Sequence, residues 1–169
     1  AESTFDYQGR TVALKDCPPL PKAAQESGIP IIVGGGGPKR TPNLAARFAN
    51  EFNLPFSSPT DFELQANRVR QACESISREA DSMVFSVAQV LCIGTTEKEL
   101  ERRSAKIGRD LSELRENGVA GTLDEARERI SSFQDVGVTR MYFQVLDEDD
   151  LDQVSLLSEL LDEFTEVEE

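Results

Sequence analysis

The sequence predicts an α/β fold built on a parallel sheet wrapped by helices. Four short apolar runs, at 29–33, 51–56, 83–93 and 138–145, alternate with segments of helical periodicity. Most of those helical segments open with a capping signal, and the strand-then-helix order recurs four times after a small hairpin. Strands that alternate with helices of this length form parallel sheets, because each crossover helix brings the chain back to the same end of the sheet. In such sheets chemistry collects beyond the carboxyl ends of the strands.

Residues 2–16, ESTFDYQGRTVALKD, alternate apolar and polar around Gln8-Gly9, the pattern of a small hairpin. Residues 17–28 form a proline-rich polar connector. Ile29–Val33 is a β-branched run ending in glycine and reads as a buried strand with Pro30 at its start. Thr41 is a good N-cap and Pro42 suits the first helical position, so a helix is expected from there with Leu44, Ala45 and Phe48 inward. EFNLPF, residues 51–56, is a second strand candidate. Ser58-Pro59-Thr60-Asp61 repeats the helix-start signal, and Phe62, Ala66, Val69, Cys73 and Ile76 then recur at spacings of four and three.

Met83–Ile93 is the most apolar run and reads as a buried strand closed by Gly94. Thr96-Glu97-Lys98-Glu99 is a capping box for a charged helix through Lys106, followed by a short helical piece around Leu111 and Leu114 that ends near Gly118. Thr122-Leu123-Asp124-Glu125 is a further box, with Ala126, Ile130 and Phe133 marking its helix up to Gly137. Val138–Val145 is a fourth strand, and Leu151, Val154, Leu157, Leu161 and Phe164 mark a last amphipathic helix. The domain reading is one partial domain over 1–169: hairpin and connector (1–28), four strand-helix units (29–164) and an acidic tail (165–169).

Composition narrows the chemistry. The chain contains no histidine, which removes Ser-His-Asp catalysis and the commonest metal ligand. Cys17, Cys73 and Cys92 have neither disulfide-framework nor zinc spacing, and a reducing cytoplasm is the expected compartment. Cys92 reads as a small buried side chain. The net charge is −13, with 11 acids and no Lys or Arg in residues 141–169, leaving 20 acids against 18 bases elsewhere. No basic footprint for nucleic acid and no apolar run of membrane-spanning length is present, so neither partner is expected. The carboxylates of Asp147–Asp150 lack calcium-loop spacing and read as a helix N-terminal charge cluster, so no metal is assigned.

The candidate site is the glycine run Gly34-Gly35-Gly36-Gly37, followed by Pro38, Lys39, Arg40 and Thr41, at the carboxyl end of the first parallel strand. Pro38 stands where a P-loop needs glycine, and Lys39 where a dinucleotide fingerprint needs its third glycine. The physics common to both remains. Glycine backbone lets N–H groups approach an anion, and a helix starting at Thr41 aims its positive end the same way. Lys39 and Arg40 add charge and Thr41 a hydroxyl. The alternative is a flexible turn carrying two solvated cations, against which stands the entropy cost of ordering four glycines.

The stretch PIIVGGGGPKRTPNLAARFANEFN resembles the luciferase-like family of flavin and deazaflavin enzymes, in its branch dependent on coenzyme F-420. Ala45, Ala46, Arg47, Ala49, Asn50, Phe52 and Asn53 stand at that branch's motif positions. NGVAGTLDEARERISSFQDVGVTRMYFQV resembles the family's closing helix and strand, and STFDYQGRTVAL its hairpin insertion. The resemblance implies the C-terminal half of a (β/α)8 TIM barrel, and a chain that is a fragment, a cleaved product or one piece of a split protein. It implies an oxidoreductase that transfers hydride between coenzyme F-420 and a small organic substrate. Gly34, Gly35, Gly36, Gly37, Lys39, Arg40 and Thr41 would then hold the cofactor phosphate.

The same resemblance implies a missing N-terminal half or partner subunit, and a homodimer in the complete enzyme. Its alternatives are an FMN-dependent monooxygenase of the same fold and a non-catalytic half-barrel that pairs with a partner half. Asn53 and Gln144, at strand ends, are candidate substrate contacts. Arg140 and Tyr142 alternate with Met141 and Phe143, and the pattern does not choose their face. No residue is assigned as catalytic acid or base.

Overall fold

A computed structural model describes residues 4–20, 23–25, 28–162 and 164. The predicted acidic tail and residues 21, 22, 26 and 27 of the predicted connector lie outside the described residues. Two compact units are present, Ala1–Pro30 and Ile31–Glu169. In the first, β1 (Phe5–Gln8) pairs antiparallel with β2 (Ala13–Cys17), and the Gly9 N–H donates to the Val12 carbonyl across the turn.

The second unit holds β3 (Ile32–Gly34), α1 (Arg40–Phe48), β4 (Glu51–Asn53), α2 (Pro59–Glu74), β5 (Val84–Ile93), α3 (Glu97–Lys106), α4 (Leu111–Asn117), β6 (Val119–Gly121), α5 (Leu123–Asp135), β7 (Arg140–Gln144) and α6 (Leu151–Leu161). All five strands are parallel. β4 lies between β3 and β5, β7 pairs with β5, and β6 pairs with the carboxyl end of β5. Strand side chains alternate between faces. Phe52, Phe85 and Val87 pack with Ala45, Phe62, Val69 and Phe133, while Leu91 and Ile93 pack with Ile130 and Leu160. Burial of each large apolar side chain contributes about 1.5–3 kcal/mol. On the opposite face, Val90 and Cys92 of β5 pack with Leu100 and Leu114 near the carboxyl end.

Local signals account for most helix starts. Ser58 accepts from the Asp61 N–H, and Thr122 and Glu125 complete a reciprocal capping box. At α3 the Thr96 hydroxyl accepts from Glu99 N–H, but the Glu99 carboxylate reaches one residue further, to the N–H of Thr95.

Several expectations are corrected by tertiary context. Helix α1 starts at Arg40 with Lys39 as N-cap, not at Thr41. Pro42 is accommodated in the first turn because those N–H groups have no intrahelical acceptor anyway. Its inner face is Pro42, Ala45, Ala46 and, at the C-cap, Ala49, whereas Leu44 and Phe48 are exposed. The small residues form the surface that packs beside α2 in the core.

β3 is shorter than expected and mostly exposed, with only Val33 turned to the core, because it is an edge strand paired with β4 alone. β4 ends at Asn53, before Pro55 and the left-handed Phe56 (φ 53°). Ile76 lies beyond α2 and is exposed. α6 turns Gln153 and Leu160 inward, with Leu156 and Leu157 beside them, and leaves Leu151 and Val154 exposed. β6 is a fifth strand that the apolar runs do not announce.

Candidate functional site

The glycine loop leaves β3 at its carboxyl end and enters α1 through Lys39. Gly34 is in register with Asn53, and a Cβ at Gly34 would stand 3.1 Å from the Asn53 carbonyl oxygen. Gly35 has φ +122°, a backbone region that side chains rarely tolerate. A Cβ on Gly37 would approach the Thr41 hydroxyl oxygen to 3.1 Å, so that hydroxyl stands over the loop. At Gly36 nothing lies within 4 Å of an added Cβ, which makes its flank the open side of the loop.

Gln65 of α2 holds the loop from inside. Its Nε2 donates to the carbonyl oxygens of Gly35 (3.2 Å) and Gly37 (2.9 Å), and its Oε1 accepts from Arg68 at 2.9 Å. The Gly35 carbonyl and the Gly36 N–H belong to one trans peptide and point in opposite directions. Gln65 therefore draws the carbonyl inward and turns the Gly36 N–H outward. Gly36, Leu54, Phe56, Asp61, Gln65 and Arg68 line a groove between this loop and the one that follows β4.

Lys39 and Arg40 are exposed, and among the described residues neither forms an ion pair. With the positive end of α1 beside them, they leave the mouth of the loop electropositive. The far end of α1 is anchored by Arg78, which donates to the carbonyls of Ala46 (2.9 Å) and Ala49 (2.7 Å). A phosphate group fits what is present: an open glycine flank, an outward N–H, a helix N-terminus and two cations without carboxylate partners among the described residues.

The other predicted residues separate. Asn53 is adjacent to the loop and donates from Nδ2 to the Ser86 hydroxyl at 2.9 Å. Gln144 ends β7, with β4 and β5 between it and β3. Arg140 and Tyr142 stand on the open face. The Glu51 carboxylate, 4% exposed, accepts from Tyr142 (2.9 Å), Arg140 (2.6 Å) and Ser86. Asp150 caps α6 and forms a buried pair with Arg103, whose hydrogen bonds hold its carboxyl far below the usual range. Burial raises the Cys73 and Cys92 thiols, which keeps them protonated and poor nucleophiles.

Sequence reading passed over Gln65, Arg68 and Arg78. The usable signal was Gln65 itself, a polar residue three positions after Phe62 and next to Ala66 on the inward stripe of α2.

A sequence profile of the luciferase-like monooxygenases matches residues 1–157. The chain belongs to the luciferase-like monooxygenase family. Its α/β sheet of strand-helix units with a small antiparallel hairpin resembles half of the luciferase-like TIM barrel. The coenzyme F-420-dependent tetrahydromethanopterin reductase of Methanopyrus kandleri superposes with TM-score 0.78 at 16% identity, over 97% of this chain and 59% of that one. An F-420-dependent secondary alcohol dehydrogenase, solved with an F-420–acetone adduct, has TM-score 0.78 at 12% identity, over 98% and 57%.

A riboflavin lyase solved with modified FMN has TM-score 0.70 at 15% identity, over 95% and 48%. This luciferase-like chain thus spans roughly half to three-fifths of the solved relatives it matches. No curated protein matches the sequence. At these identities the structural likeness establishes the fold, which both F-420 and FMN proteins share.

Proposed function

We propose that this chain supplies the cofactor-phosphate site of a luciferase-like oxidoreductase that uses coenzyme F-420 and acts on a small organic substrate. The observation that carries the reading is the glycine loop at the carboxyl end of β3, with its open flank at Gly36 and its exposed cations Lys39 and Arg40. When bound, the deazaflavin ring supplies the hydride transfer. The residues of this chain bind and orient: Gly34 to Gly37 bring backbone N–H groups to the phosphate, Lys39 and Arg40 neutralise it, and the Thr41 hydroxyl donates to it. In the same reading the open sheet face around Glu51 and Asn53 and the exposed edge of β3 meet the other half of a barrel, supplied by further sequence or by a partner subunit.

The choice of F-420 is supported by the two relatives with TM-score 0.78, both F-420-dependent by description. FMN is the second reading, favoured by the riboflavin lyase solved with modified FMN. Titration of the protein with each cofactor decides between them. Tighter binding of F-420 is expected; preferential binding of FMN would overturn the cofactor assignment while leaving the phosphate loop intact.

A further inference from the structure

We infer that Gln65 is the positioning residue of the glycine loop, with Arg68 fixing the direction of its amide. The inference rests on the phosphate reading above. Gln65 is 2% exposed, and its side-chain hydrogen bonds are directed at the loop and at Arg68. An amide can present either its acceptor or its donor end to a neighbour. Arginine has donors only, so Arg68 can donate only to the Oε1 end, and Nε2 is left facing the loop. Both Nε2 hydrogens then have an acceptor, one in the Gly35 carbonyl and one in the Gly37 carbonyl.

The consequence for an anion is electrostatic. Four consecutive glycines can rotate their peptide planes at little steric cost. A loop free to rotate presents carbonyl oxygens to an incoming phosphate as readily as N–H groups, and the oxygens repel it. Holding the Gly35 carbonyl inward fixes the outward direction of the Gly36 N–H before the anion arrives, and holding the Gly37 carbonyl inward keeps a second oxygen away from the anion. The ordering cost is then met on folding instead of on binding. Gln65 need not touch the ligand to do this, and a residue that merely filled the core would have no effect specific to phosphate.

The test is a titration of the protein and three variants with FMN, with F-420 and with riboflavin, which lacks the phosphate, followed by ligand fluorescence and through the backbone amide resonances of residues 35–37 and 39–41. Gln65→Leu keeps apolar bulk and removes the bonds to the loop. It is expected to weaken FMN and F-420 binding about tenfold or more, while riboflavin binding stays unchanged. Arg68→Met, at a half-buried position, is expected to act in the same direction more weakly, and it decides the matter if Gln65→Leu does not fold. Lys39→Ala/Arg40→Ala tests the underlying reading separately. Loss of affinity in that variant with native affinity in Gln65→Leu and Arg68→Met would overturn the positioning role alone. Equal weakening of riboflavin would also overturn it, since the effect would then be on the fold. If the native loop resonances respond to neither FMN nor F-420, the phosphate reading falls and the positioning role with it.

Discussion

Arg103 and Asp150 form a buried ion pair, Nε to Oδ2 at 2.8 Å, between α3 and the start of α6, with side chains 3% and 5% exposed. The remaining valences are used: Arg103 also donates to the Ile93 carbonyl (2.7 Å), and Asp150 accepts the Gln153 N–H of its own helix. Gln153 in turn accepts the Ile93 N–H. The network therefore joins the carboxyl end of β5 to two helices. Removing one charge strands the other in the interior, so Asp150→Ala is expected to cost about 3–5 kcal/mol by urea denaturation at pH 7.

The pH dependence of the same pair has a definite sign. Hydrogen bonds from Arg103 hold the folded Asp150 carboxyl well below its unfolded value of about 3.9. A depressed carboxylate contributes stability that is fully present above the unfolded value and is lost as pH falls toward the folded one. The stability gap between native protein and Asp150→Asn should thus be constant from pH 7 to about 5 and narrow below about 4. A gap that widens in acid would contradict the assignment.

On the open sheet face, Glu51 is the common acceptor for Ser86, Tyr142 and Arg140. The three contacts should not weigh equally. Arg140 is half exposed (51%), and pairs screened by water contribute between about 0 and 1 kcal/mol, so Arg140→Ala should stay within that range. Tyr142→Phe removes one hydrogen bond, about 1 kcal/mol. Glu51→Ala withdraws the acceptor from all three donors at once and should exceed either single loss, at about 2–3 kcal/mol. Denaturant midpoints of the three variants check the order; an Arg140→Ala loss larger than that of Glu51→Ala would refute it.

Which parts of this structure could be read from sequence follows from how local their causes are. The Thr122–Glu125 capping box and the Ser58 cap are complete within four residues, and both were readable. β6 is three residues, Val-Ala-Gly, whose strand character comes from pairing with Leu91, Cys92 and Ile93 some 28 positions earlier. No local pattern encodes that. The inner face of α1 misled for a related reason: periodicity favours the larger apolar residues Leu44 and Phe48, whereas packing against α2 selects the alanines. At the candidate site the glycine run announced itself by composition. Gln65 did not, because a glutamine on an apolar stripe acquires meaning only when the Gly35 and Gly37 carbonyls arrive from 30 and 28 residues upstream.

Neighbouring glycines of the loop should respond differently to the same substitution. Gly35→Ala places a side chain at φ +122° and should cost about 1–3 kcal/mol of stability. At Gly36 an added Cβ meets nothing within 4 Å, so Gly36→Ala should leave the melting temperature within about 2 °C of native. Its methyl group would nevertheless occupy the open flank of the loop, and affinity for FMN or F-420 should fall. Calorimetric melting with a cofactor titration separates the two effects; a Gly36→Ala variant that binds as native would remove this flank from the site.

Lys39 and Arg40 are exposed and without carboxylate partners among the described residues, so the fold gains little from their charges. Lys39→Ala/Arg40→Ala should accordingly change stability by no more than about 0.5 kcal/mol. Binding is another matter. Each lost charged hydrogen bond to a phosphate is worth about 1.5–3 kcal/mol, and part of that is screened at an exposed loop, so a total loss of about 2–4 kcal/mol is expected. The screened part gives a second measurement. Native affinity for FMN or F-420 should weaken as salt rises from low to physiological ionic strength, where the screening length shrinks to about 8 Å, and the double variant should have lost most of that salt dependence. Equal salt dependence in both proteins would place the phosphate-binding charge elsewhere than on Lys39 and Arg40.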